Sequence, residues 1–202
     1  MKTKFFLLKV VVLSAFMLLS SCSSDSNNEP SDPCATSNCQ NGGECVDGSC
    51  LCPDGYYGEN CQLMKTPQSV RITSVVVKEF DNFDSNGNAW DSQLNGSLPD
   101  IYISLFQATG SSFELLHEAN NYYPSAWSPG TFDFPIDTYV YNMSTPYIIS
   151  LYNYNAEDTP EIADTEMGQV VFYAYEPDLG FPYVRTLDLG SITVEVYLQY
   201  KF

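Results

Sequence analysis

Basic residues are scarce in this sequence. The 202-residue chain carries 8 Lys and Arg against 25 Asp and Glu, a formal net charge of −17, with a single histidine. Lys2, Lys4 and Lys9 all fall in the first nine positions, which leaves the remainder more acidic still. So acidic a surface repels phosphate backbones, and nucleic-acid binding is excluded. The usual catalytic signatures are missing too. There is no Gly-x-Ser-x-Gly elbow, Walker loop or dinucleotide fingerprint, and His117 lies in a strand-like pattern without a nucleophile. Asp and Glu are so numerous that no pair stands out as a glycosidase couple. The chain reads as non-catalytic. A sustained 3.6-residue apolar period is also absent, which argues against a helical fold. What the chain does have is 15 Tyr, 12 Phe and 44% apolar residues, enough to build a core.

The one long apolar run, residues 5–19, follows Lys2 and Lys4 and is interrupted by Lys9. It is short for a membrane span and sits where an export signal belongs. It ends in Leu19-Ser20-Ser21-Cys22, which resembles a bacterial lipobox. The resemblance implies a signal peptide over residues 1–21, cleavage before Cys22, and acylation of that cysteine. The polar segment SSDSNNEPSDP then completes a lipidated tether over residues 22–33. Several acyl chains anchor a protein firmly. Ser23 after the cysteine, by analogy with enteric sorting, favours the outer membrane. Membrane contact is expected through the anchor only, because an acidic chain without a basic cluster is poorly suited to docking on lipid.

Six of the seven cysteines remain: Cys34, Cys39, Cys45, Cys50, Cys52 and Cys61. An exported chain passes through an oxidising compartment, so this density reads as a disulfide framework. Zinc knuckles would need paired C-x2-4-C spacings, which C-x4-C and C-x-C do not supply. Six cysteines allow about fifteen pairings, and spacing alone does not select one. The pattern C-x4-C-x5-C-x4-C-x-C-x8-C, with Asn41-Gly42-Gly43 and Pro53-Asp54-Gly55-Tyr56-Tyr57-Gly58, resembles an EGF-like module of the tenascin type over residues 34–62. That resemblance implies the pairings Cys34–Cys45, Cys39–Cys50 and Cys52–Cys61. The acidic pair that marks calcium-binding members is missing before Cys34, so this module is expected to serve as a stiff spacer or a protein contact.

From residue 67 to residue 202, β-type runs recur between turn residues. Strands are predicted at 70–80, 101–107, 113–118, 130–134, 147–152, 169–175, 184–187 and 191–202. Eight strands in so short a stretch argue a mainly β chain with an eight-stranded antiparallel sandwich. The order of motifs resembles a C2 domain: Pro99-Asp100-Ile101-Tyr102-Ile103, then Pro124-Ser125-Ala126-Trp127 before an aromatic strand, then Asn153-Tyr154-Asn155, then Leu187-Asp188-Leu189 leading into the last strand.

Carried onto this chain, the C2 resemblance implies a calcium site at one end of the sandwich. Asp100 matches one family carboxylate, Asp84 or Asp91 stands for its upstream partner, and Asn153 and Asn155 fall on the Asp-x-Asp positions. Asp158 or Asp164 completes the set. Calcium prefers six to eight hard oxygens, and two carboxylates replaced by amides leave fewer charges to hold it. The other reading of these residues is ordinary turn chemistry, which Asp, Asn and Gly favour. An EF-hand over residues 82–93 fails, since the twelfth position is Gln93. The expected role is a cell-surface adhesion or interaction module meeting an extracellular protein, with calcium assistance implied by the resemblance. The alternative is a glycan-binding accessory protein, stacking sugars on Tyr122, Tyr123 and Trp127 or on Trp90.

Overall fold

A computed structural model of the protein describes residues 32–91, 98–155 and 163–202. The signal-like segment, Cys22, the tether to Ser31 and Asp158 lie outside the described residues. Residues 33–202 form one compact unit that holds the whole core.

Three disulfides join Cys34 to Cys45, Cys39 to Cys50 and Cys52 to Cys61, the pairing the EGF-like resemblance implies. Strands β1 (Glu44–Val46) and β2 (Ser49–Leu51) form a hairpin with Cys45 opposite Cys50. Its two-residue turn, Asp47-Gly48, has positive φ at both positions (50° and 82°), the geometry that matches the twist of the flanking strands. Strands β3 (Tyr56–Tyr57) and β4 (Leu63–Met64) pair across the last disulfide. Pairing therefore runs two residues past Gln62, into the segment between the two predicted domains.

The sandwich has eight strands, all antiparallel to their neighbours. They are β5 (Ser69–Phe80), β6 (Ile101–Thr109), β7 (Ser112–Glu118), β8 (Phe132–Val140), β9 (Tyr147–Asn153), β10 (Thr165–Phe172), β11 (Val184–Asp188) and β12 (Ile192–Lys201). One sheet runs β10-β9-β6-β7 and the other β11-β12-β5-β8. Ile101, Ile103, Leu105, Ile149 and Leu151 of the first sheet meet Val70, Ile72, Val75, Phe134, Val194 and Val196 of the second in one buried cluster. The chain is mainly β, as predicted, with a disulfide-stapled module preceding an eight-stranded sandwich.

The irregular spacing of apolar residues in β5 has a geometric cause. Val70, Ile72, Val75, Val77 and Phe80 are all buried, although strict alternation would break at two steps of three residues. Against β12 the register shifts between Ile72 and Ser74 and again between Val77 and Glu79. Thr73 and Lys78 are the extra residues of two bulges, and each bulge restores the inward phase.

Two strands differ most from expectation. The fourth strand begins at Phe132 and runs to Val140, where prediction stopped it at residue 134 before Pro135. As β8 is an edge strand, a proline there removes no ladder hydrogen bond that the sheet needs. The chain then bulges through Ile136 and Asp137 (φ 57°), and Asp137 Oδ1 accepts from Arg71 Nε at 2.5 Å. The sixth strand begins at Thr165 rather than residue 169, because a bulge at Met167 and Gly168 breaks its alternation. Gly168 is required there: a Cβ would lie 2.8 Å from both Ile192 Cγ2 and Ser191 Oγ.

The EGF-like module rests on the sandwich through an aromatic cluster. Tyr56 meets Phe181 edge-on at 5.4 Å, and Phe181 packs against Tyr175, Tyr200 and Phe202 at 5.7, 5.3 and 4.8 Å. Gly55 (φ 89°) is buried at the contact, where a Cβ would approach Phe181 and Phe202 to 2.7 Å. Only glycine allows the module so close.

Candidate functional site

Strand register brings the candidate residues together. Ile101 at the start of β6 lies opposite Asn153 at the end of β9, and Asn153 lies opposite Thr165 at the start of β10. Asp100, Asn153, Asn155 and Asp164 thus reach one end of one sheet, and the loop after β5 delivers Asp91 to the same place.

Asn153 is the centre of this cluster. It is fully buried, and Asn155 and Asp91 are 4% exposed each. Its Nδ2 donates to Asp91 Oδ1 at 2.6 Å and to Asn155 Oδ1 at 3.1 Å, while its Oδ1 accepts from the Asp100 backbone N–H at 2.9 Å. Asn155 donates through Nδ2 to the Ala163 carbonyl and through its backbone N–H to Asp164 Oδ1. The other oxygen of Asp164 accepts from the Tyr102 hydroxyl at 2.9 Å. Asp100 Oδ1 accepts from the Ser125 backbone N–H at 2.7 Å, and Ser125 is held there in a left-handed conformation (φ 50°). One oxygen each of Asp91, Asp100, Asn153 and Asn155, and both of Asp164, thus accept N–H or O–H donors of the protein.

Asp84 does not join them. Its Oδ1 accepts from the backbone N–H groups of Asn86 and Asn88, and its Oδ2 from the Asn88 side chain. These bonds, the Asn88 backbone one foremost, hold its carboxyl below the usual range while it stays at the surface. It closes the turn bridged by Phe83 and Ala89, the turn chemistry of the second sequence reading.

The described residues form a hydrogen-bonded network at the position the resemblance assigns to calcium, with Asp158 outside the described residues. A cation needs several oxygens converging with their lone pairs unspent. Here an amide NH2 sits between Asp91 and Asn155, its two hydrogens supplying the positive charge density that a metal would bring. Among the described residues no three His, Cys, Asp or Glu side chains are grouped as metal ligands.

Outside this buried network lies an open groove of about 330 Å³ lined by Tyr102, Tyr122, Tyr154, Glu118, Asp164 and the 119–121 segment. Tyr122 and Tyr154 lie with centroids 4.8 Å apart at 32°, and Tyr154 meets Tyr102 perpendicularly at 6.1 Å. Burial first, then the hydrogen bond to Asp164 and the charges of Asp164 and Glu118, push the Tyr102 hydroxyl far above its ordinary pKa. Glu118 and Asp164 place two carboxylates on the groove wall.

Of the other aromatics proposed for sugar stacking, Tyr123 and Trp90 pack inward and Trp127 stays half exposed. Tyr123 turns its ring onto Phe132 and Phe134 and donates its hydroxyl to the Asp133 carbonyl. Trp90 packs against the core and donates to the Asp81 carbonyl at 2.7 Å. Trp127 is half exposed against Phe83. Tyr102 and Tyr154, which sequence reasoning treated as strand and loop residues respectively, belong to the groove with Tyr122. Their signal was the short Tyr152-Asn153-Tyr154 alternation, which sends Asn153 inward and Tyr154 outward.

His117, in β7, has its Nε2 buried without a hydrogen-bond partner among the described residues. Desolvation holds its pKa below the ordinary histidine value.

Comparison with known proteins agrees with the first module in particular. A C2 domain of solved structure is similar to 66% of this chain over 95% of its own length, at 11% identity and a TM-score of 0.40. A C2 domain of plant extended synaptotagmin 1 is similar to 68% of this chain over 97% of its own length, at 12% identity and a TM-score of 0.32. No functional residue is carried over from either. A protein of Caenorhabditis elegans described as putative protein tag-53 is 31% identical over 84 residues, 42% of this chain; the chain spans 6% of that protein's length. The EGF-like domain family model matches residues 34–60, and with its three formed disulfides this region is an EGF-like domain of a kind suited to an oxidising, extracytoplasmic setting.

Proposed function

We propose that this chain is a non-catalytic cell-surface interaction module. It is held to the bacterial outer membrane through acylated Cys22, and the EGF-like domain and sandwich together meet an extracellular protein. The observation that carries this reading is the aromatic seat of Tyr56 on Phe181, with Gly55 buried beneath it. A stapled domain wedged on a sandwich is a stiff extension beyond a polar tether, which suits presentation of a binding face. The loop end contributes shape through its internal hydrogen bonds and works without calcium. His117 is half-buried in β7, with its Nε2 shielded from solvent.

Residues 33–202, fluorescently labelled, are expected to bind extracellular protein displayed on intact cells saturably, with unlabelled protein competing. Binding that stays linear with concentration and ignores competitor would contradict the interaction role. Anchoring is tested separately: labelled palmitate should enter the full chain and be lost in Cys22→Ala, and labelling that survives the substitution would refute it. The glycan reading is favoured by one observation, the place of Tyr122 beside Tyr154 in an open groove.

A further inference from the structure

The groove at the start of β6 carries an inference that rests on the interaction reading and narrows it. We infer that it receives a cationic side chain, a lysine or arginine of the partner protein.

Its walls combine two chemistries. Tyr102, Tyr122 and Tyr154 supply aromatic rings, and Glu118 and Asp164 supply carboxylates. Among the described residues no Lys, Arg or His lines it. Aromatic faces attract an ammonium or guanidinium through the ring quadrupole, and adjacent carboxylates add direct charge attraction. The same walls repel phosphate, sulfate and carboxylate ligands. A neutral sugar would gain ring contacts but would draw no charge attraction from the carboxylates. The long-range field adds to this, since a chain of net charge −17 concentrates cations at an acid-lined cleft.

The rings are also held in place before any ligand arrives. Tyr102 is fixed by its hydrogen bond to Asp164, by stacking on Tyr152 at 5.2 Å and by its edge contact with Tyr154. Asp164 is in turn fixed by the backbone of Asn155, whose side chain belongs to the buried network around Asn153. The network around Asn153 thus reaches the groove wall through Asp164. Glu118, by contrast, is exposed at the end of β7 and leaves its charge to the groove mouth. A site whose rings are already ordered loses little entropy on binding. The groove is of the size that holds one side chain or one small residue rather than a long segment.

The test uses residues 33–202 and three probes: a capped trilysine peptide, the same peptide with every lysine acetylated, and maltotetraose. Ring-proton NMR shifts of Tyr102, Tyr122 and Tyr154 are followed in each titration. The trilysine peptide is expected to shift these rings saturably, more weakly as salt is raised, and the acetylated peptide to leave them in place. Glu118→Gln and Tyr122→Leu should each weaken the trilysine affinity about two- to fivefold. Tyr122→Leu keeps an apolar contact for Tyr154, so its fold is checked by unchanged core methyl signals. Glu44→Gln, an equal charge change in the EGF-like domain, should leave the affinity unaltered. Three results would overturn the inference: ring shifts with maltotetraose in place of trilysine, equal response to acetylated peptide, or an equal loss in Glu44→Gln. The same variants are then applied to intact cells. Full saturable binding by Glu118→Gln and Tyr122→Leu would leave the interaction role standing and place it outside the groove.

Discussion

The EGF-like domain and the sandwich keep their shape by opposite means. Across residues 34–62 only Gly55 and Cys61 are buried, and order comes from three disulfides. The sandwich contains no cysteine and is held by the cluster between its two sheets. A segment of this length buries too little apolar surface to offset its chain entropy, so covalent closure replaces a core. The described residues at the loop end of the sandwich contain no disulfide and pack a buried polar cluster. There Asn153 closes it with hydrogen bonds from a buried amide.

Reduction should separate the two regions most sharply. Each disulfide contributes about 2–4 kcal/mol, more in total than so small a core replaces. With reductant, NMR signals of residues 34–61 should collapse to disordered positions while those of β5 to β12 persist. Joint loss of both sets would show that the sandwich depends on the domain before it.

Asn153→Leu should have the next largest effect. The leucine keeps the volume but removes one hydrogen bond each from the Asp91 carboxylate, the Asn155 side-chain carbonyl and the Asp100 N–H. The expected loss is about 2–4 kcal/mol in denaturant unfolding. A change below about 0.5 kcal/mol, the scale of ordinary surface substitutions, would mean the amide does not hold the loops.

Phe181→Ala tests the seam between the regions. Removing the ring that Tyr56, Tyr175 and Phe202 share should cost about 1–2 kcal/mol. It should also let the EGF-like domain tumble independently, seen as longer transverse relaxation times for residues 34–61. Unchanged relaxation would mean the seam does not rest on this ring.

The smallest effect concerns pH. Desolvation depresses the pKa of His117 in the folded state, so the unfolded chain binds a proton more readily. Stability should therefore be complete above the unfolded histidine value of 6.5 and decline as pH falls below it. His117→Gln should remove that part of the slope, and an identical slope in the variant would assign it to the carboxylates.

Much of this arrangement is legible in the sequence. The EGF-like pairing is legible through the family resemblance, which the cysteine pattern and its flanking glycine motifs make recognisable. The eight strands are visible because β-branched residues mark them, and the three-residue steps in β5 record its bulges. What sequence patterns obscure is non-local. Pro135 reads as a strand terminator, and only the position of β8 at a sheet edge makes it harmless. Asp84, Asp91 and Asp100 look alike along the chain, yet Asp84 folds onto its own turn while Asp91 and Asp100 meet Asn153. An amide at a position expected to hold a carboxylate reads as a weakened metal ligand. Register shows it as a donor, because burying it between two acceptors places its hydrogens where charge is needed.

The central claim is that the loop end is closed by this amide rather than by a metal ion, and a calcium titration of residues 33–202 followed by thermal unfolding tests it most directly. A site with a dissociation constant near 1 mM, typical of extracellular modules, would raise stability by about 1.4 kcal/mol at 10 mM calcium, a shift of about 3–6 °C. The account predicts an unchanged midpoint through 10 mM for the natural chain, together with a destabilised Asn153→Asp variant that calcium partly restores. A saturable rise in the natural chain that magnesium does not match would contradict it.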